Sequence, residues 1–373
     1  MKAFMRYVYN YVFILWLLLP LILFPFVKER LDHNNYENRE LISKEVVLES
    51  KWGDFFPNLQ LYIDDNVPYK NECVKWNKVI DLNLFHDLYD NSVMVGKDNW
   101  LFYKKDNCIQ DYRGGYELQE AELEAYRVAA EALNAKFHEK GIELYIMITP
   151  NKEEVVGDLY LPDKVQVKNE ISRTDQIVAY LKEKTDIPII YSKNTLIECQ
   201  DEGMQVWKKY DTHWNKLGAY VATQELLEYM GKQSVSIENV VVEKSTQGSG
   251  DLANMIGMGH EYSDDWEVDI KGYRDEVQAE LIENILQPNL SYAKFISNSG
   301  TNDKIMCIGD SFLGHMESFI ALNYDNSIFV HRDNYGSFEE DLIEKEKPDV
   351  IVFQTAERFI TYFDEAMNTF AQK

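Results

Sequence analysis

Two short blocks of this 373-residue chain hold residue types that perform acyl chemistry. The first is Gly309-Asp310-Ser311-Phe312, which follows the apolar run Lys304–Ile308 and precedes a helical pattern. A serine where a buried strand passes into a helix stands at the carboxyl edge of a sheet, where open α/β folds build their sites. Free N–H groups at the helix start can also face a developing oxyanion. Asp and Ser are equally ordinary N-caps, so the block by itself leaves both readings open. The second block is Tyr210-Asp211-Thr212-His213-Trp214-Asn215. An Asp two residues from a His on an irregular loop can aim its carboxylate at Nδ1–H, leaving Nε2 to deprotonate a serine. A capping loop for the next helix is the plainer alternative. Each block supplies what the other lacks, a nucleophile for a base.

Gly309-Asp310-Ser311 resembles the nucleophile block of the SGNH hydrolase superfamily. Asp211-Thr212-His213-Trp214 resembles the signature of its alginate O-acetyltransferase subgroup, the AlgX/AlgJ-like or DHHW proteins. The motif order is the permuted one of that subgroup, with Asp-x-His before Ser. Gly96–Tyr103, Pro150-Asn151-Lys152, Gly250-Asp251-Leu252 and Glu357-Arg358-Phe359 also match its general pattern, so the resemblance spans about residues 93–360. It implies a three-layer α/β/α SGNH-like fold and a double displacement. Ser311 would take an acetyl group with His213 as base and Asp211 holding the imidazole, then pass it to a sugar hydroxyl. It also implies a multi-pass membrane O-acyltransferase as acetyl donor.

Four residues near these blocks have two readings each. Asn151 and Lys152 follow a strand's carboxyl end, as oxyanion donor and substrate contact or as a solvated turn. Trp214 is a sugar-stacking platform or packs its own loop. Arg358 contacts substrate or pairs with a buried acid.

The elements that must position these groups are legible from periodicity. A hairpin is expected at 93–103, where two β-type runs flank Gly96 and Asp98-Asn99. Helices are expected near 117–140, 170–184, 215–230, 312–324 and 337–346. Strands are expected at 142–149, 187–191, 304–309, 327–330 and 349–354. Continuous apolar strands alternating with amphipathic helices imply an α/β class with a parallel sheet covered on both faces. Residues 235–300 are less regular, with β-type runs at 240–242 and 266–270, and read as a small β-rich insertion at the sheet's edge.

Val8 to Val27 carry no charge over 20 residues, about 30 Å of helix and enough to span a bilayer core. The run lacks a small-residue cleavage site, which favours a retained anchor over a signal peptide. The expected division is therefore an anchor at 1–27, a connector with helices at 28–92 and a catalytic domain at 93–373. Localisation is expected at the cell membrane, single-pass, with the body extracytoplasmic. Beyond residue 27 the chain has 36 basic against 63 acidic residues, which excludes nucleic acid as a partner. Four scattered cysteines make no disulfide scaffold, though one or two bridges fit an exported chain, and no Cys/His spacing points to a metal. No cofactor is expected.

The function expected from these residues is a membrane-anchored O-acetyltransferase acting on an extracytoplasmic polysaccharide. A carbohydrate esterase with the same triad is the alternative. A non-catalytic polysaccharide-binding component of an export complex is a second alternative, disfavoured by the complete Asp211, His213 and Ser311 set.

Overall fold

The computed structural model describes residues 2–31, 41–85, 92–287, 290–331 and 338–372. Part of the 28–92 connector and residue 337 of the expected 337–346 helix lie outside them. The chain divides into two compact units, Met1–Asp90 with Ala253–Glu261, and Asn91–Leu252 with Tyr262–Lys373.

The first unit begins with the helix Lys2–Val27. Asn10–Arg30 is long and apolar enough to cross a membrane, a test that a signal sequence also passes. Helices Lys44–Glu49, Trp52–Asp65 and Lys70–Phe85 follow.

The second unit holds the strands. β1 (Val93–Val95) and β2 (Leu101–Tyr103) form the hairpin, with Asp98 and Asn99 left-handed in the turn. Asp and Asn tolerate that conformation better than other side chains. β3 (Glu143–Thr149), β4 (Ile189–Tyr191), β7 (Ala279–Gln287), β8 (Leu290–Ser297), β9 (Lys304–Gly309), β10 (Asn326–His331) and β11 (Val350–Ala356) make one sheet, ordered β4-β3-β11-β9-β10-β8-β7. β5 (Val241–Gly248) and β6 (Asp265–Lys271) pair separately.

The five strands from β4 to β10 are parallel, but the sheet as a whole is mixed. β8 and β7 join antiparallel at the β10 edge. Only two residues separate β7 from β8, and a parallel pair needs a far longer crossover. Part of the expected insertion thus lies at the sheet's edge and extends the main sheet by two strands.

Alternate residues of the central strands enter two different cores. Leu144, Ile146 and Ile148 of β3 join Met306 and Ile308 of β9 on one face. Tyr145, Met147, Ile305 and Cys307 point to the other. The first face is covered by helices Glu120–Glu139, Arg173–Lys184, Phe338–Glu346 and Phe363–Gln372 through Leu133, Leu181, Leu342 and Phe370. The second is covered by Lys152–Tyr160, Lys193–Asp201 and Lys216–Tyr229 through Val156, Leu196 and Tyr220. Two buried faces explain why these strands are apolar throughout. The layers are α/β/α.

The single helix expected at 312–324 is instead two short ones, Ser311–Gly314 and Glu317–Ala321. Gly314 lies at the break, and glycine weakens a helix by about 1 kcal/mol relative to alanine. All four cysteines are free, with Cys108, Cys199 and Cys307 buried.

Candidate active site

β9 delivers Gly309 to the carboxyl edge of the sheet, and Asp310 caps the turn that follows by accepting from Phe312 N at 3.1 Å. Its other oxygen accepts from Ala356 N at 2.5 Å, so β11 fixes the same carboxylate. Ser311 emerges from this anchored residue and is exposed.

The His213 loop is held at both ends. Asn215 caps the helix Lys216–Tyr229, accepting from Gly218 N at 3.0 Å and donating to Gln205 O at 2.7 Å. Trp207 and Trp214 bridge across the loop's base, and Trp207 Nε1 donates to Thr212 O at 3.1 Å.

These anchors bring three groups into line. His213 Nε2 lies 2.7 Å from Ser311 Oγ. His213 Nδ1 lies 2.7 Å from Asp211 Oδ1, which also accepts from His213 N at 2.9 Å. Burial opposes a charge on Asp211, but its hydrogen bonds and opposite charge at His213, with Lys208 nearby, hold its carboxyl well below the usual range. The arrangement can move a proton from serine to imidazole beside a fixed anion.

The four flanking residues fall elsewhere than in an open groove. Lys152 is buried, and its Nζ donates to Lys209 O at 2.8 Å and Asp211 O at 3.0 Å, beneath the loop. The ammonium also faces the rings of Trp100 and Phe102. Burial brings its pKa down to about 8, while burial lifts neighbouring Glu153 to about 7. This geometry departs from the expected substrate contact, because the amine is turned inward by those carbonyls. Trp214 is fully buried against Trp207 and Phe312, with no face open for a sugar to stack on.

Asn151 is buried at the cap of Lys152–Tyr160, its N–H donating to Glu357 Oε2 at 2.8 Å. Its Nδ2 has no hydrogen-bond partner among the described residues. Arg358 reaches Thr212 Oγ1 through Nη2 at 3.5 Å and lies over the Phe312 ring. Asn151, Lys152, Thr212 and Arg358 line one small cavity with Tyr103 and Glu153.

Three neighbours carry no sequence expectation of their own. His315 packs its ring 5.6 Å from that of His213, and Lys208 Nζ is 3.2 Å from His315 Nε2. An ammonium only donates, so Nε2 holds the lone pair and the proton sits on Nδ1. Burial, Lys208 and His213 bring the His315 pKa down to about 4, leaving it neutral near pH 7. Gln354 grips Asp310 from β11. Asp251 contacts Thr212 and Asp211. The signals were a glutamine closing an apolar strand, a histidine four residues after the serine, and the Gly250-Asp251-Leu252 match, which implied no role.

The chain is similar to the probable alginate O-acetylase AlgJ of Pseudomonas putida, at 24% identity over 178 residues, 47% of this chain and 43% of that protein. It therefore spans a little under half of that relative's length. Among solved structures it is similar to a DHHW family protein from Eubacterium siraeum, with a TM-score of 0.54 at 15% identity, covering 77% of this chain and 97% of that one. Bacillus cereus PatB1 gives 0.51 at 15% identity, covering 76% and 98%. At such identities the structures show a shared fold. A family model described as the SGNH hydrolase-like domain of acetyltransferase AlgX matches residues 93–312, more than half the chain, and the protein belongs to that family.

Proposed function

We propose that this protein is a membrane-tethered O-acetyltransferase that moves acetyl groups onto hydroxyls of an extracytoplasmic polysaccharide. The observation that carries the reading is the continuous relay Asp211–His213–Ser311 in a family defined by an acetyltransferase. Ser311 Oγ attacks the donor's acetyl carbonyl as His213 Nε2 takes its proton, and the leaving group departs with that proton. A sugar hydroxyl, deprotonated by the same nitrogen, then attacks acetyl-Ser311 and releases the serine. Asp211 orients the imidazole and stabilises its charged form. The Ser311 backbone N–H and the unpartnered Asn151 Nδ2 are the oxyanion donors in this reading.

We assign residues 93–373 as the catalytic domain, 28–92 as its connector and Lys2–Val27 as a single-pass anchor with the body outside. The acetyl donor is a multi-pass membrane O-acyltransferase. A tether beside such a donor raises its effective concentration at Ser311. Because Lys152 is turned inward and the body is acidic, a neutral or weakly charged acceptor fits best.

One observation favours a second reading, a carbohydrate esterase: Ser311 is exposed, so water reaches the acyl-enzyme unless an acceptor excludes it. The deciding experiment loads Ser311 from an activated acetyl ester and follows where the acetyl goes, with neutral β-glucan and uronic-acid oligosaccharides present. Capture of most of the acetyl by one oligosaccharide at about millimolar concentration supports transfer. Release to water throughout, with stripping of preacetylated polymer, gives the esterase. Protease added to spheroplasts should degrade the body; a soluble form starting near residue 28 means a cleaved signal instead.

A further inference from the structure

We infer that Asp251 is a second carboxylate of the relay, a positioning residue that fixes the Asp211–His213 loop and adds negative charge behind the imidazole. This rests on the triad reading proposed above. Asp251 Oδ1 accepts from Thr212 N at 2.7 Å and Oδ2 from Thr212 Oγ1 at 2.5 Å. Thr212 lies between Asp211 and His213, so both its polar hydrogens are held by one side chain. The backbone N–H of Asp251 donates to Asp211 Oδ2 at 3.1 Å. Asp211 is then held on both oxygens, Oδ1 by His213 and Oδ2 by Asp251.

Asp251 Oδ2 is also 3.7 Å from His213 Nδ1, too far for a hydrogen bond but well within electrostatic reach. The close approach depends on Gly250. A Cβ there would sit 2.3 Å from Tyr210 O and 2.6 Å from Asp211 Cβ. The glycine lets the Asp251 backbone press against the loop that carries the base.

A carboxylate beside an imidazole favours the charged ring, which is the form His213 takes after accepting the serine proton. The charged and titratable groups around His213 are Asp211 and Lys208 on its own segment, Asp251, His315 after the nucleophile, Arg358 through Thr212, and Lys152 beneath Asp211. Replacing Asp251 by asparagine removes one of these charges and also one of the two acceptors that hold Thr212, a bond whose separate loss Thr212→Val reports. The base becomes weaker, and the pH below which activity is lost falls.

The test uses the full chain in detergent, with p-nitrophenyl acetate as acetyl donor and Ser311→Ala as background. Asp251→Asn is expected to lower kcat about tenfold with KM little changed, and to move the acid limb of the pH–rate profile down by about half to one pH unit. Asp251→Glu should restore much of the limb. Thr212→Val keeps the Asp251 charge while removing one bond, so it should lower kcat and leave the limb in place. Wild-type rate and limb in Asp251→Asn, with Ser311→Ala inactive, overturn the inference alone. An equal displacement of the limb in Thr212→Val overturns the electrostatic part. Turnover that survives Ser311→Ala, or a wild type no faster than it, overturns the triad reading and this inference with it.

Discussion

Gln354 and Asp310 grip each other through both ends of the glutamine amide. Asp310 N donates to Oε1 at 2.9 Å, and Nε2 donates to Asp310 Oδ1 at 3.1 Å and to Thr149 Oγ1 at 3.0 Å. Three central strands, β3, β9 and β11, are thereby joined beneath the residue preceding Ser311. Gln354→Leu leaves buried polar groups without partners, which costs about 2–4 kcal/mol. Urea denaturation should show that loss, with kcat for acetyl-ester turnover down at least about tenfold. An unchanged midpoint and rate would show that the amide is dispensable.

Ser311→Ala and His213→Ala should each reduce the rate of acetyl transfer by roughly 10⁶, and the double variant should be scarcely worse. The 2.7 Å contact between the two side chains makes them parts of one step. Multiplicative losses in single-turnover kinetics would mean that they act separately.

Lys152→Met removes both carbonyl bonds under the Asp211 loop and strips Glu153 of a neighbouring buried cation. Breaking one side of a buried charge arrangement typically costs about 3–5 kcal/mol. A lower thermal midpoint and a fall in kcat are expected, with acceptor KM nearly constant. A large rise in acceptor KM at unchanged stability would return Lys152 to the role of substrate contact.

Trp214→Phe tests packing against sugar stacking. The indole is enclosed by Trp207 and Phe312, so the substitution should destabilise by about 1–3 kcal/mol and leave oligosaccharide affinity as it was. Calorimetric titration with the preferred acceptor measures the second quantity.

Burial lifts the Glu317 pKa to about 7, above the 4.5 of a free glutamate. A raised carboxyl favours the folded state fully below pH 4.5 and loses that contribution as pH climbs to about 7. Glu317→Gln should remove this slope. Compared at pH 5 and pH 8, the wild type should lose about 2–3 kcal/mol more than the variant. Parallel urea midpoints at the two pH values would rule the effect out.

The triad candidates were legible because each block is local: Asp211 and His213 are two residues apart, and Ser311 follows a plain apolar strand. That the blocks meet across 98 positions followed from their complementary chemistry and from the resemblance, since no spacing states it. Lys152 reads as a surface residue by type. Its inward turn depends on Trp100 and Phe102 from a hairpin some 50 residues upstream, which periodicity does not connect to it. The central strands were readable because two buried faces demand unbroken apolar runs. β7 was not, because Leu281, Ile282 and Leu286 are exposed on an edge strand and blur the alternation. Asp251 stood out only through the Gly250-Asp251-Leu252 match, which implied no role, because its contact with the base loop depends on Gly250 lying against the Tyr210 carbonyl.

The order β4-β3-β11-β9-β10 places the latest of these strands in chain order between β3 and β9. β3 pairs with β11 residue for residue from Glu143↔Val350 to Thr149↔Ala356, a loop of about two hundred residues. Closing so long a loop is slow, and the middle of the sheet stays vacant until β11 has been synthesised. The nucleophile acquires its clamp through Gln354, a residue of that same late strand.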